Sequence, residues 1–230
     1  MRTVLSFLTR AVIGVVAFVA IVLGVFSVTP LPATAFMVES VFTRGALPDY
    51  DWEPASRIAP EMLVAAVAAE DQRFADHHGF DFGAIERAAK HNSRGGTVRG
   101  ASTISQQVAK NLFLWPGRSY VRKGLEAAIT VMLEAIWTKH RILEVYVNVA
   151  EMGDGVYGAE AASRRFFHKP ASQLTAPEAA LLAASLPNPE EYRVDAPPPA
   201  MRRRQGWILR QMRALGGEAW LKRIERGAGR

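Results

Sequence analysis

The run "AVIGVVAFVAIVLGVFSV", from Ala11 to Val28, contains no charged residue and no polar side chain before Ser27. As a helix it reaches the thickness of a bilayer, and it exceeds the usual core of a signal peptide. Arg2 and Arg10 precede it, and no basic residue follows until Arg44. The positive-inside rule therefore predicts a cytoplasmic N-terminus and a body on the far side of the membrane. The rival reading is a cleaved signal, because "ATA" at 33–35 has the small residues of a cleavage site. The retained anchor is the expectation: residues 1–10 cytoplasmic, 11–29 transmembrane and 30–56 an irregular juxtamembrane segment. Under either reading the body is exported.

That body is globular in composition. The chain has 230 residues, 49% of them hydrophobic and 22% charged, enough for one sizeable core. The net charge of +6 points to an anionic partner, and export disfavours nucleic acid in favour of a membrane surface or a phosphorylated substrate. There is no cysteine, so disulfides are excluded. From Pro60 the chain reads as helical over 60–74, 81–91, 103–113, 119–137, 139–150, 156–166 and 176–185. Punctuation such as "RGGTVRG", "WPG", "MGDG" and "LPNPEE" separates these segments. No alternating strand pattern or internal repeat is evident. The expected units are a domain over 57–195 and, past the elbow "DAPPPA", a basic helical tail over 196–230. Met201, Ile208, Met212 and Leu215 form an apolar stripe on that tail. The stripe either packs on the domain or lies along an anionic membrane.

Four stretches carry candidate chemistry. Glu70 falls on the stripe of Leu63, Val67 and Phe74, where an unpaired carboxylate is costly. Either it has a partner, or its raised proton affinity is useful. In "RGGTVRGASTISQQVAKNLF" a glycine-rich approach meets a helix start with capping-box spacing at Thr103 and Gln106, a pattern suited to anions. Thr103, Gln107 and Lys110 then share one face; a plain capped, solvated helix is the alternative. In "SYVRKGLEAAITVMLEAIW", Arg122 and Lys123 neighbour Glu126, which approaches the apolar side; an ordinary helix salt bridge is the alternative. In "TKHRILEVYVNVAEMGDGVYG", Glu144 and Asn148 interrupt a core pattern. The adjacent His77 and His78 lack metal-ligand spacing to further ligands, which favours a structural role at a helix end.

Taken in order, "EDQRFADHHG", "GASTISQQVAKN", "RKGLEA" and "RILEVYVN" resemble the signature motifs of the peptidoglycan glycosyltransferase family. The resemblance covers about residues 57–192, and "GVYGAEAASRRFF" continues it. The second motif has Ala101 where the family has glycine. With no transpeptidase domain following, the monofunctional branch is expected.

The resemblance implies an all-α, lysozyme-like, two-lobed domain behind one N-terminal transmembrane helix. It implies a reaction in which the 4-hydroxyl of lipid II attacks the anomeric carbon of a lipid-linked glycan chain. That centre inverts, and undecaprenyl pyrophosphate departs. Glu70 is then the general base and Glu126 the second catalytic carboxylate. Lys110 and Arg122 would hold the pyrophosphate, with Asp71, Ser102, Thr103, Gln107, Asn111 and Lys123 as further substrate-binding positions. No cofactor is implied as required; a divalent cation, Mg or Mn, could assist the pyrophosphate, but the sequence shows no dedicated site. The implied partners are lipid II, the lipid-linked chain and the inner membrane, with the cell-wall synthesis machinery as a candidate protein partner. The catalytic domain would be periplasmic. A lysozyme-type hydrolase would also use buried carboxylates but would not need the Lys110/Arg122 pair. A non-enzymatic anchored scaffold would have no use for two glutamates on apolar faces.

Overall fold

A computed structural model of the chain describes residues 2–95, 100–117 and 119–227. Part of the glycine-rich loop, residues 96–99, lies outside them. The described residues form an all-α protein with one minimal sheet. The first helix, α1 (Arg2–Phe26), is long and apolar enough to cross a membrane, and nearly all of its apolar stretch is exposed. Its last turns pack on the body, where Val19 and Leu23 are buried.

The juxtamembrane segment is not irregular throughout. Residues Ala35–Arg44 form α2, capped by the Thr34 hydroxyl, which accepts from Met37 N, and ended by Gly45 in the left-handed region. A capping threonine and a terminal glycine are standard helix boundaries, hidden here behind the proline-rich exit from the span.

At the centre lies α3 (Pro60–Glu70), buried on every side from Met62 to Ala68. Its alanines let neighbours approach closely. Around it come α4 (Phe82–Asn92), α5 (Ile104–Phe113), α6 (Tyr120–Ile136), α7 (Lys139–Val149), α8 (Ala159–Phe167) and α9 (Ala176–Ser185). The tail is two helices, α10 (Pro199–Leu215) and α11 (Glu218–Gly227), separated by Gly216 and Gly217 at positive φ. The stripe of Met201, Ile208 and Met212 is buried, and α10 packs on α3 and α9.

The sheet has the order β1 (Asp49–Tyr50), β3 (Val156–Tyr157), β2 (Glu151–Gly153). Asp49 pairs with Val156 in parallel, and β2 runs antiparallel to β3. This hairpin displaces the start of α8 from the expected 156 to Ala159. Gly158, at φ +86°, makes the turn, and a Cβ there would lie 2.4 Å from the Asn148 main-chain oxygen. Asn148, fully buried, exchanges hydrogen bonds with the backbone of Glu53, while Glu144 accepts from Ala55 N. The two polar interruptions of the α7 core pattern thus hold the approach segment against the domain.

Candidate active site

Helix α3 ends at Glu70, four residues short of the expected Phe74. The cause is Asp71, whose backbone leaves the helical region and whose buried carboxylate is engaged elsewhere. It accepts from Ile104 N at 3.1 Å and lies 3.0 and 3.1 Å from His77 Nε2. His77 therefore has the structural role expected of it, edge-on to Phe74; His78 is exposed.

The same contacts revise the anion site expected at the start of α5. Ile104 N is bonded to Asp71, Thr103 N to Gln106 Oε1, and Gln106 N to the Thr103 hydroxyl. The Thr103 hydroxyl in turn donates to Gly79 O at 2.6 Å. Gly79 sits at φ +85°, where a Cβ would lie 2.7 Å from Thr130 Cγ2. Three of the amides at the α5 N-terminus are therefore taken by the protein's own acceptors, one of them a carboxylate, and Asp71 and Thr103, which also line the pocket beside Glu70, fix that wall.

Glu70 projects from the end of α3 at the edge of the core, its side chain 17% exposed. Gln107 Nε2 donates to one carboxylate oxygen at 3.0 Å, and Arg204 Nη2 donates to the other at 3.0 Å. Tyr146, fully buried on α7, donates from its hydroxyl to Gln107 Oε1 at 3.2 Å. Burial raises the proton affinity of Glu70; the Gln107 and Arg204 contacts moderate the rise and Asp71 adds to it. The Glu70–Gln107 bond joins the walls of two pockets. One, of about 330 Å³, is lined by Glu70, Arg73, Ser102 and Trp207 among others. The other, of about 240 Å³, includes Phe36, Gln107, Lys110, Asn111 and Tyr146. A larger pocket of about 680 Å³ beneath α10 and α11 holds none of these groups.

Positive charge gathers along α5 and the first turn of α6. Ser119 caps α6 by accepting from Arg122 N at 3.0 Å. Arg122 and Glu126 are both buried and paired at 3.0 Å, and Lys123 Nζ closes on the other Glu126 oxygen. Lys123 also reaches Ser102 Oγ at 3.3 Å, tying α6 to the loop before α5. Lys110 is half-buried, its ammonium 4.9 Å above the Phe36 ring. Burial lowers its pKa; Glu126 and Glu70 act to raise it, and Arg122 and Lys123 to lower it. Lys110 therefore lies within the electrostatic reach of both glutamates and both cations of α6. Three cations against the single Glu126 carboxylate leave two positive charges; Arg122 and Lys123 stand at the N-terminus of α6, whose dipole adds to them, and Lys110 in the last turn of α5. Beside Lys110, the buried Asn111 has no partner for its Oδ1 among the described residues.

Arg204, Tyr146 and Phe36 are site residues that sequence reasoning missed. A signal for Arg204 existed: it falls between Met201 and Ile208 on the apolar stripe of the tail, the same anomaly that singles out Glu70. For Tyr146 and Phe36 the sequence holds no comparable signal.

Comparison with known proteins places the chain in a family. The Transglycosylase family model matches residues 40–213. Over 230 aligned residues the chain is 52% identical to the biosynthetic peptidoglycan transglycosylase of Salmonella paratyphi B, covering 95% of both chains. The proteins of the same description from Salmonella typhi and Salmonella typhimurium match to the same extent. With its body matched from α2 to α10 and half its residues shared along nearly its whole length, the chain belongs to the transglycosylase family.

Proposed function

We propose that this protein polymerises the glycan of peptidoglycan, transferring a lipid-linked chain to the 4-hydroxyl of lipid II with inversion and release of undecaprenyl pyrophosphate. The observation that carries the reading is the chain of contacts between base and cations: Glu70 bonds Gln107, which lines one pocket with Lys110, and Ser102, which lines the other with Glu70, is reached by Lys123. Base and leaving-group charge are thereby held in one site. Glu70, its proton affinity raised by burial, takes the proton of the attacking hydroxyl as the new bond forms. Lys110, Arg122 and Lys123 meet the negative charge that develops on the departing pyrophosphate. Glu126, with both oxygens occupied by Arg122 and Lys123, aims those cations. Ser102, Gln107 and Asn111 line the substrate path, and Asp71 and Thr103 hold the frame.

Among the described residues no three His, Asp or Glu side chains converge as a metal-binding group. In this reading α1 is a retained anchor in the inner membrane, with Arg2 and Arg10 on the cytoplasmic side and the catalytic body in the periplasm. The substrate tails then share the bilayer with α1.

The test is incubation of the purified full chain with labelled lipid II. Release of undecaprenyl pyrophosphate together with lysozyme-sensitive glycan supports the proposal. Cleavage of preformed glycan without lipid pyrophosphate release would make the protein a hydrolase, and neither product would make it a scaffold.

A further inference from the structure

We infer that Arg204, contributed by the C-terminal helix α10, is a positioning residue for Glu70, and that α10 is thereby part of the catalytic machinery. The inference rests on the reading of Glu70 as the general base.

Helix α10 is rich in arginine, and Arg202, Arg203, Arg210 and Arg213 are exposed. Arg204 is the one that shares the buried stripe with Met201 and Ile208. Its Nη2 donates to Glu70 Oε1 at 3.0 Å and to Ala69 O at 3.4 Å, while its Nε is buried with no partner among the described residues. One guanidinium thus touches both the carboxylate and a terminal carbonyl of α3, where the helix dipole favours a cation. Gln107 donates to the opposite carboxylate oxygen. With one donor on each oxygen, the Glu70 carboxylate is held in one plane, and each oxygen keeps an acceptor site for a substrate hydroxyl.

The groups that face Glu70 are Asp71 beside it, Gln107 and Lys110 on α5, Tyr146 on α7 and Arg204 on α10. Among them Arg204 is the cation in direct contact, and its own charge does not change over any working pH. Its loss releases the plane of the carboxylate and leaves burial less opposed, so Glu70 binds its proton more tightly. The acid limb of activity, set by ionisation of the base, then moves to higher pH.

The experiment compares wild type, R204Q, R204K, E70Q and the R204Q/E70Q double variant as full-length protein, measuring lipid II polymerisation against pH. For R204Q the expected result is a kcat about tenfold lower, a KM changed less than about twofold, and an acid limb raised by about half to one pH unit. R204K restores part of the rate and part of the limb. The double variant is no slower than E70Q alone, because Arg204 acts through Glu70. If R204Q does not fold, R204K is read alone, with a smaller upward shift expected. A folded R204Q with wild-type kcat and an unmoved acid limb, or in its absence R204K with an unmoved limb, overturns the inference while an inactive E70Q leaves Glu70 in place. Polymerisation by E70Q would overturn the reading beneath it instead.

Discussion

The Trp137 indole donates to the main-chain oxygen of Leu23 at 2.7 Å. Leu23 begins the last turn of α1, where carbonyls have no intrahelical partner. Arg141 takes the next of them, donating to Phe26 O at 2.9 and 3.1 Å and reaching Thr29 O as well. The side chains of Leu23 and Trp137 are both buried, although most of α1 is exposed. The end of the apolar helix is therefore stitched to the junction of α6 and α7, which sets where the body stands relative to the span.

Breaking that stitch should loosen the helix without touching the site. Trp137→Phe keeps apolar bulk but strands the Leu23 carbonyl, at about 1–3 kcal/mol. Trp137→Ala also empties a buried indole volume, at about 3–5 kcal/mol. Both are read by thermal melting in detergent, with proteolysis between Thr29 and Thr34 as a local probe. An unchanged melt and cleavage pattern for Trp137→Ala would show that the helix is not docked there.

Asp71 makes a contrasting case, because it lines the same pocket as the proposed base yet its carboxylate is bonded to Ile104 N and His77. Asp71→Ala leaves Ile104 N and His77 unpaired together, and the loss should be on the order of 3 kcal/mol. Asp71→Asn retains an acceptor for Ile104 N and should recover most of the stability and most of the polymerisation. If Asp71→Ala melted normally but failed to polymerise, the carboxylate would have to contact substrate instead.

Gly158 tests the hinge between α7 and α8. A residue with a Cβ at φ +86° costs about 1–3 kcal/mol in backbone strain alone. The 2.4 Å approach to Asn148 O is to rigid backbone, so the clash adds to that cost. Gly158→Ala should lower the melting temperature more than Gly14→Ala, whose Cβ would meet nothing within 4 Å. Equal melts for the two would remove the constraint.

The elements that repeat locally were legible; those that meet across the fold were not. The capping box at Thr103 and Gln106 and the span of α9 follow from neighbouring residues and stand as expected. The reason that singles out Glu70 in the sequence is incomplete. Helix α3 is apolar all round rather than striped, and Glu70 is unusual because it emerges where the helix leaves the core. Its partners lie 37 and 134 residues away, at Gln107 and Arg204. Such pairings depend on how α3, α5 and α10 pack, which no periodicity encodes. What the sequence did hold were two separate anomalies, an acid at the end of an apolar helix and an arginine on an apolar stripe. Burial of unpaired charge is costly enough that two such anomalies of opposite sign are candidates to meet. The start of α5 shows the same limit: the capping box is visible in the sequence, but the carboxylate that takes the Ile104 amide comes from another segment.

Lys110 should set the alkaline side of the pH profile. Burial lowers its pKa, so its charge is lost at a lower pH than that of an ordinary lysine. As pH rises through that lowered value, the grip on pyrophosphate weakens and kcat/KM falls. Lys110→Arg keeps its charge throughout and should carry the alkaline limb to higher pH, whatever its plateau rate. Lys110→Ala should lose at least about tenfold in affinity for a pyrophosphate analogue, the worth of one charge-assisted contact. Coincident alkaline limbs for wild type and Lys110→Arg would assign that limb to another group.

Glu70→Gln is the sharpest test of the chemistry. A sugar hydroxyl attacks well only if its proton is taken as the bond forms, and an amide cannot take it. The polymerisation rate should fall about 10²–10⁴-fold. The structural cost follows from the two donors that hold the carboxylate. A glutamine oxygen can still accept from Arg204, but its amino group would then meet the Gln107 amino group. Gln107 can turn its amide over and present oxygen, because the Tyr146 hydroxyl that donates to it can rotate and accept instead. What remains is the loss of one half-buried ion pair, set against the easier burial of an amide. The melting temperature should therefore move little, by the equivalent of about 1 kcal/mol in either direction. Affinity for a pyrophosphate-bearing substrate analogue should persist, since Lys110, Arg122 and Lys123 are untouched. Rate, melt and affinity on this one variant separate three outcomes: loss of rate alone places the base at Glu70, loss of all three reports a broken frame, and retention of rate moves the search to Glu126.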